Sequence, residues 1–530
     1  MLKRVTSMVI ILVLILALTA GCANSASTTG TTGATGSSSS ESATANTTTG
    51  AVDNSKRITL DWYMATWGDK KDADAVYAEV SKIMQEKLNV DLQIHYYEYG
   101  DYDKKVSTMV NAGQKMDILF TSDSLVPFLN NVRQGNFLAL DDLLPQYAPK
   151  TYANIPKAAW DAVTVDGHIY GIVPMKDLAD CYSMQYDSVL TQELGLTPPK
   201  SGQWQTMFDL LDFLYKGKEA RDAMYPDQKD YPIIPGGNQQ ITLYYPYEPI
   251  NFLVGANIEG TTSFAGKGDG ETVFNVFDTP EYLKYAQTIK KMVDDKIFPY
   301  DPKNFDKDKQ LPIKYLMEGS QGMVTDYKTN NPNNVVTLPK EAYMYNNYVR
   351  AQLNAISAKC EYPERAMQVI EYVNQDKLVA TMLRFGIKDV HWKDIGNNQI
   401  SFDGTANADP KSRGYYYWYG TTFGSLEPIM LPDTEDLQLV KKIVEMTKNS
   451  NQKGNLGFIF DETPVINEIA ACRSVYDEYN TVLMDGLAED VDSSVAEFVA
   501  KLKSNGAEKI VAEAQKQLTD WRKLVGRPVQ

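Results

Sequence analysis

Aromatic rings and carboxylates are the side chains this sequence supplies most freely for chemistry: seven Trp, 33 Tyr and 68 Asp+Glu among 530 residues. Trp62 and Trp67 fall at the end of the first apolar segment and just beyond it, Trp204 near the start of a helix-like stretch, and Trp418 within the run Tyr415-Tyr-Tyr-Trp-Tyr. Rings of this kind cover C–H surface and carboxylates accept hydrogen bonds from hydroxyls, so together they hold a solute without making or breaking a bond. Bond-making chemistry is poorly supplied. His95, His168 and His391 are the only histidines and lie far apart, and no GxSxG elbow, HExxH pair or P-loop occurs. Four cysteines without a CxxC pair exclude a disulfide scaffold and the common zinc ribbons. Asp301–Asp308 alternates oxygen ligands but lacks the glycine and closing Glu of a calcium loop, so it reads as solvated surface and no metal or cofactor is expected.

The elements that must carry these residues follow an α/β pattern from Arg57 onward. Ile58–Met64 reads as a strand and Ala65–Lys71 as a loop. Ala73, Val76, Tyr77, Val80, Ile83, Met84 and Leu88 recur at intervals of three and four, which predicts a helix from Asp72 to Leu88 stopped by Asn89. Val90–Tyr97 alternates as a second strand, 102–112 is helical, and Met116–Phe120 is a short apolar strand running into Thr121-Ser-Asp123. Strands alternating with helices imply a parallel sheet covered on both faces. Ligands of such sheets bind beyond the carboxyl ends of the strands, which points to the 64–70 loop and to Thr121–Ser124. Residues 175–350 carry strands and helices of their own, which predicts a second lobe; Thr279-Pro-Glu starts one of its helices. The chain from Leu437 is mostly helical, with Ser494 and Glu497 at capping-box spacing.

With 43% hydrophobic and 23% charged residues the chain is ordinary globular material, long enough for roughly two to four lobes at about 150 residues each. Its net charge of −16, with no basic aromatic stripe, excludes nucleic acid as a partner. Lys3 and Arg4 precede an uncharged run, Met8–Ala20, that is too short to span a bilayer and has the size of a signal-peptide core. Leu18-Thr-Ala-Gly-Cys22 resembles the lipobox of bacterial lipoproteins, which predicts a signal peptide over 1–21 and lipidation of Cys22. Residues 24–50 hold seven Ser, nine Thr and four Gly, too little apolar surface to offset the entropy of ordering, so 22–56 is expected to be a flexible tether. The three remaining thiols, Cys181, Cys360 and Cys472, are odd in number, leave at least one unpaired, and read as buried apolar residues.

Several segments, in order, resemble the extracellular solute-binding proteins of bacterial ABC importers, the large lipoprotein class associated with sugar uptake. They are Ile58–Leu88, Met116–Asp123, Gly135-Asn-Phe-Leu-Ala-Leu-Asp-Asp142, Asp166-Gly-His-Ile-Tyr-Gly-Ile-Val-Pro174, Gly322-Met-Val, and Asn354-Ala-Ile-Ser ahead of a Pro-Glu-Arg-Ala helix. Leu383–Phe423 is similar to the C-terminal extension of that subgroup, with Gly-Thr-Thr-Phe423 where the subgroup usually has Gly-Asn-Gln-Phe. The resemblance implies a periplasmic-binding-protein-like type II fold of the α/β class, with two lobes, a hinge and a helical C-terminal extension. Residues 57–172 and 351–395 would form lobe 1, and 173–350 with 396–530 lobe 2. It further implies a monomer, lipid-anchored on the outer face of the cell membrane, that is not an enzyme and closes over a carbohydrate to deliver it to the transmembrane subunits of an ABC permease. On that footing Trp67, Trp204 and Trp418 stack on an oligosaccharide, Asp123 and Asp326 accept hydroxyl hydrogen bonds, and Tyr170 lines the cleft beside the hinge. The residues alone leave two alternatives: a secreted carbohydrate-active enzyme, since 68 acids could include a glycosidase pair, and a peptide or signal receptor on the same scaffold.

Overall fold

The computed structural model describes residues 53–180, 182–234, 247–260, 268–299, 314–321, 333–418, 420–435 and 437–529. Cys22 with the signal and most of the tether, Cys181, the 301–308 stretch and Asp326 lie outside the described residues.

The apolar alternation of the first strand places it at the centre of a four-stranded sheet. β1 (Ile58–Thr66) is flanked by β2 (Val90–Glu98) and β3 (Ile118–Thr121), both parallel to it, and β4 (Leu353–Ile356) runs antiparallel beside β3. Pairing runs from Ile58↔Val90 to Thr66↔Glu98, so both strands end at the same level and the chain turns out over one edge. α1 (Ala73–Leu88) buries Ala73, Val76, Tyr77, Val80 and Met84, the face its period specifies, and ends on Asn89 in a left-handed conformation at φ 54°. α2 (Tyr99–Asn111) begins directly on the last residue of β2, three residues earlier than its apolar spacing suggests.

Two separate hydrophobic cores organise the described chain into two lobes. The first gathers buried residues from Ile58 to Ala179 and from Ala342 to Leu456; the second runs from Met184 to Met317 and from Phe458 to Leu518. The chain therefore crosses between cores after Ala179, before Ala342 and at Leu456–Phe458. Two of these crossings pair as short antiparallel strands, Ala179–Asp180 with Tyr343–Met344. The packing differs from the lobe boundaries expected above, which put 173–179, 342–349 and 400–456 in the second lobe. Tyr415, Tyr416, Tyr417 and Phe423 are buried, and their rings meet Tyr77, Phe385 and Trp62 of the first core, with centroids 6.0 Å apart for Tyr77–Tyr415, 5.2 Å for Phe385–Tyr416 and 5.5 Å for Trp62–Phe423. Aromatic burial of this size draws the whole segment onto the first lobe.

The second lobe combines an antiparallel sheet centred on Tyr182–Asp187, a smaller one centred on Val254–Ala256, and helices including Pro280–Asp294, Ile466–Met484, Val491–Ser504 and Ala507–Leu524. Thr279 caps Pro280–Asp294 by accepting from the Tyr282 N–H at 3.2 Å. The helix expected to be capped by Ser494 instead starts at Val491, because the Asp490 carboxylate takes the Ser493 N–H at 3.0 Å and supplies the cap four residues sooner. Among the described residues no helix is long and apolar enough to cross a membrane.

At the amino edge of the first sheet, Arg365 is 3% exposed and holds the start of the body in place. Its guanidinium donates to the carbonyls of Asp53 (3.0 Å), Lys56 (3.3 Å), Asn89 (3.2 Å) and Leu88. Asn89 adds side-chain bonds to the carbonyls of Asn54 and Ser55 at 3.0 and 2.9 Å.

Candidate functional site

The carboxyl ends of β1, β2 and β3 share one edge of the sheet, and the residues that leave this edge form an aromatic shelf. Trp67 follows β1 and is half-buried; its ring lies 5.3 Å from Tyr99, 5.7 Å from Phe120 and 6.3 Å from Tyr417. Tyr99, at the end of β2, is 49% exposed and Trp418 is 59% exposed. Large rings left in water beside a packed aromatic layer offer an apolar face with no intramolecular use.

A glycine sets the shelf. Gly68 and Asp69 pair antiparallel with Tyr417 and Tyr416, and the Trp418 N–H donates to the Trp67 carbonyl at 3.1 Å. Gly68 has φ +110°, a backbone conformation that side chains disfavour, and a Cβ there would stand 2.2 Å from the Tyr416 carbonyl oxygen and 2.9 Å from Trp418 Cδ1. Only glycine lets the Trp418 strand lie this close to the end of β1. Beneath the shelf the Tyr417 hydroxyl donates to the Ala65 carbonyl, and burial pushes its ionisation far up, so it stays neutral.

Beside the shelf stands a clamped carboxylate. The loop after β3 is wired to itself: the Thr121 hydroxyl donates to the Val126 carbonyl (2.6 Å), the Ser122 hydroxyl oxygen accepts from the Leu125 N–H (2.9 Å), and the Asp103 carboxylate takes the Val126 N–H (2.7 Å). This fixes Asp123, whose side chain is 36% exposed, against Arg350, whose Nε donates to both Asp123 oxygens at 2.9 and 3.1 Å. Burial raises the Asp123 pKa above the usual carboxylate value even though the Arg350 charge pulls it down. A second ion pair lies where the chain prepares to cross between cores. Lys176 Nζ, nearly buried, donates to the carbonyls of Tyr348 (3.0 Å) and Asp177 (3.3 Å) and sits 3.9 Å from the Asp177 carboxylate. Among the described residues no cluster of His, Cys, Asp or Glu could hold a metal ion.

The structure thus brings Trp67, Trp418 and Asp123 to one edge of one lobe. Tyr170 is half-buried close by: its N–H donates to the Val163 carbonyl at 3.2 Å, next to Ala162, whose carbonyl accepts from Arg350 Nη1 at 3.3 Å. Trp204 is elsewhere. It is 1% exposed inside the second core, with its indole N–H on the Thr337 hydroxyl at 3.2 Å and its carbonyl taking the Lys340 N–H, so it offers a solute no face. Tyr99 and Arg350 stand at the same edge and were not anticipated from the sequence. Tyr99 carried a signal, since it directly follows a strand whose carboxyl end faces the ligand edge; Arg350 lies 227 residues from Asp123 and carried none.

Residues 79–387 match the family described as bacterial extracellular solute-binding protein, and residues 455–523 match a domain of unknown function. A carbohydrate ABC transporter substrate-binding protein of Streptococcus pneumoniae serotype 4 is 23% identical over 487 residues, covering 89% of this chain and 93% of its own length. The crystal structure of an N-glycan transport solute binding protein, NgtS, from Streptococcus pneumoniae superposes with a TM-score of 0.70 at 20% identity, over 88% of this chain and 99% of that one. An HMO-binding, ABC-transporter-associated solute binding protein from Bifidobacterium longum infantis reaches 0.57 at 14% identity, over 88% and 99% of the two chains. At these identities the superpositions speak for the bilobal fold.

Proposed function

This chain belongs to the bacterial extracellular solute-binding proteins, and we propose that it captures a neutral oligosaccharide between its two lobes and hands it, unchanged, to an ABC permease. The observation that carries this reading is the exposed aromatic shelf of Trp67, Tyr99 and Trp418 beside the clamped carboxylate of Asp123, at the sheet edge where such folds take ligand. Sugar rings present C–H faces to such a shelf and hydroxyls to such an acid. The carbohydrate transport relative and the solved complexes of NgtS with Man1GlcNAc and Man5GlcNAc support the same substrate class. Closure follows when contacts to both lobes exist only in the closed state, because ligand then shifts the population toward it. An acidic chain with Asp123 at the site disfavours a uronate.

The test is a panel of Man1GlcNAc, Man5GlcNAc and kestose by calorimetry and thermal unfolding. A cognate glycan at 100 times its dissociation constant is expected to add about 2.7 kcal/mol to stability and to be recovered intact. Hydrolysis products would turn the reading toward an enzyme, and silence across all three glycans toward the peptide or signal receptor.

The lipobox-like Cys22 and the Ser/Thr/Gly segment behind it support a lipid anchor on the outer face of the membrane, with a monomeric body free to meet its permease. Cys22→Ser is expected to move the protein from the membrane fraction to the medium; retention in the membrane fraction would contradict the anchor.

A further inference from the structure

Resting on the oligosaccharide reading, we propose that Arg350 is a ligand-binding residue: its free Nη2 and the neighbouring Asp123 carboxylate together read one sugar hydroxyl, Nη2 donating to it and Asp123 accepting from it. Arg350 is only 8% exposed, and its other nitrogens are committed, Nε to Asp123 and Nη1 to the Ala162 carbonyl at 3.3 Å. Nη2 has no hydrogen-bond partner among the described residues, yet it is not among the side-chain atoms sealed from solvent. A guanidinium carries five N–H donors, so at Nη2 this otherwise committed side chain keeps donors turned to solvent that a solute hydroxyl can take in place of water.

The side chain is also braced from behind. The short helix α3 (Asn346–Val349) ends on Arg350, whose N–H donates to the Asn346 carbonyl at 2.9 Å. At the other end of α3 the Asn346 amide donates to Glu248 of the second lobe at 3.1 Å and to the Asn455 carbonyl at 3.1 Å, and its oxygen accepts from the Gly457 N–H at 2.8 Å. One end of α3 is tied to the second lobe and the other to Asp123 of the first. The Arg350–Asp123 couple is therefore held in place at the crossing between lobes before any solute arrives, which lowers the entropy lost on binding.

The experiment uses the intact protein with Man1GlcNAc, its singly deoxygenated analogues and Man5GlcNAc, read by calorimetry. Arg350→Met is expected to weaken Man5GlcNAc about 10- to 100-fold. Arg350→Lys, which can still neutralise Asp123 but cannot fork between acid and ligand, is expected to lose nearly as much while keeping its unfolding temperature. For one deoxy position the wild-type penalty should shrink to within about twofold in Arg350→Lys, a signature that a merely structural arginine would not give. Arg350→Lys binding within twofold of wild type, with every deoxy penalty intact, overturns the assignment while leaving the oligosaccharide reading standing. Wild-type protein that binds none of these glycans brings down both.

Discussion

Trp418→Ala is expected to weaken glycan binding by about 10- to 100-fold, about 1.5–3 kcal/mol, while the unfolding temperature stays close to that of the wild type. The two effects separate because Trp418 is 59% exposed, so its indole contributes little to the core and much to any sugar face laid against it. Gly68→Ala should move in the same direction by another route. The added methyl cannot fit 2.2 Å from the Tyr416 carbonyl, so the strand carrying Trp418 must back away from β1 and tilt the shelf. Calorimetric titration with Man5GlcNAc beside a thermal melt checks both variants. Unchanged affinity in Trp418→Ala would mean that this ring serves something other than the ligand.

Trp204→Ala is expected to act the other way round, destabilising the second lobe by about 3–5 kcal/mol through loss of a large buried side chain. The indole fills the second core at 1% exposure, and its removal also strips the Thr337 hydroxyl of a partner. The check is urea unfolding followed by a probe in the second lobe, with binding measured below the transition. Full stability with lost affinity would return Trp204 to the ligand site.

Contrasting these two tryptophans shows what one sequence can disclose. Both are aromatic residues near the start or end of a regular element, and nothing in their neighbours in sequence separates a stacking face from a core plug. Trp67 and Asp123 could be assigned to the carboxyl edge of the sheet because a rule of architecture applied: parallel strands bind at their carboxyl ends, and the period of α1 and the alternation of β2 made those ends readable. Arg350 obeys no local rule. Its place beside Asp123 depends on the chain leaving the first lobe, building the second and returning through α3, a path recorded only in three-dimensional packing. The 400–456 segment was misassigned for a related reason. The resemblance put this segment with the second lobe, whereas Tyr415, Tyr416 and Tyr417 are buried against the first core and Trp418, which follows them, reaches solvent.

The Arg365 collar has a mechanical consequence. Were the chain anchored through Cys22, as proposed above, any drag on its body would be passed to the collar at Asp53. There it would meet a guanidinium bound to four backbone carbonyls and then a strand paired along its whole length with β2 and at Trp62–Tyr63 with β3, so the load would fall in shear on many hydrogen bonds at once. The aromatic shelf lies at the far end of that strand, about 30 Å away at 3.3 Å per residue over nine residues. On that proposal, traction on the anchor would be borne at the collar and along β1 before it reached the shelf, and a grip on solute set at rest would keep its strength in flow.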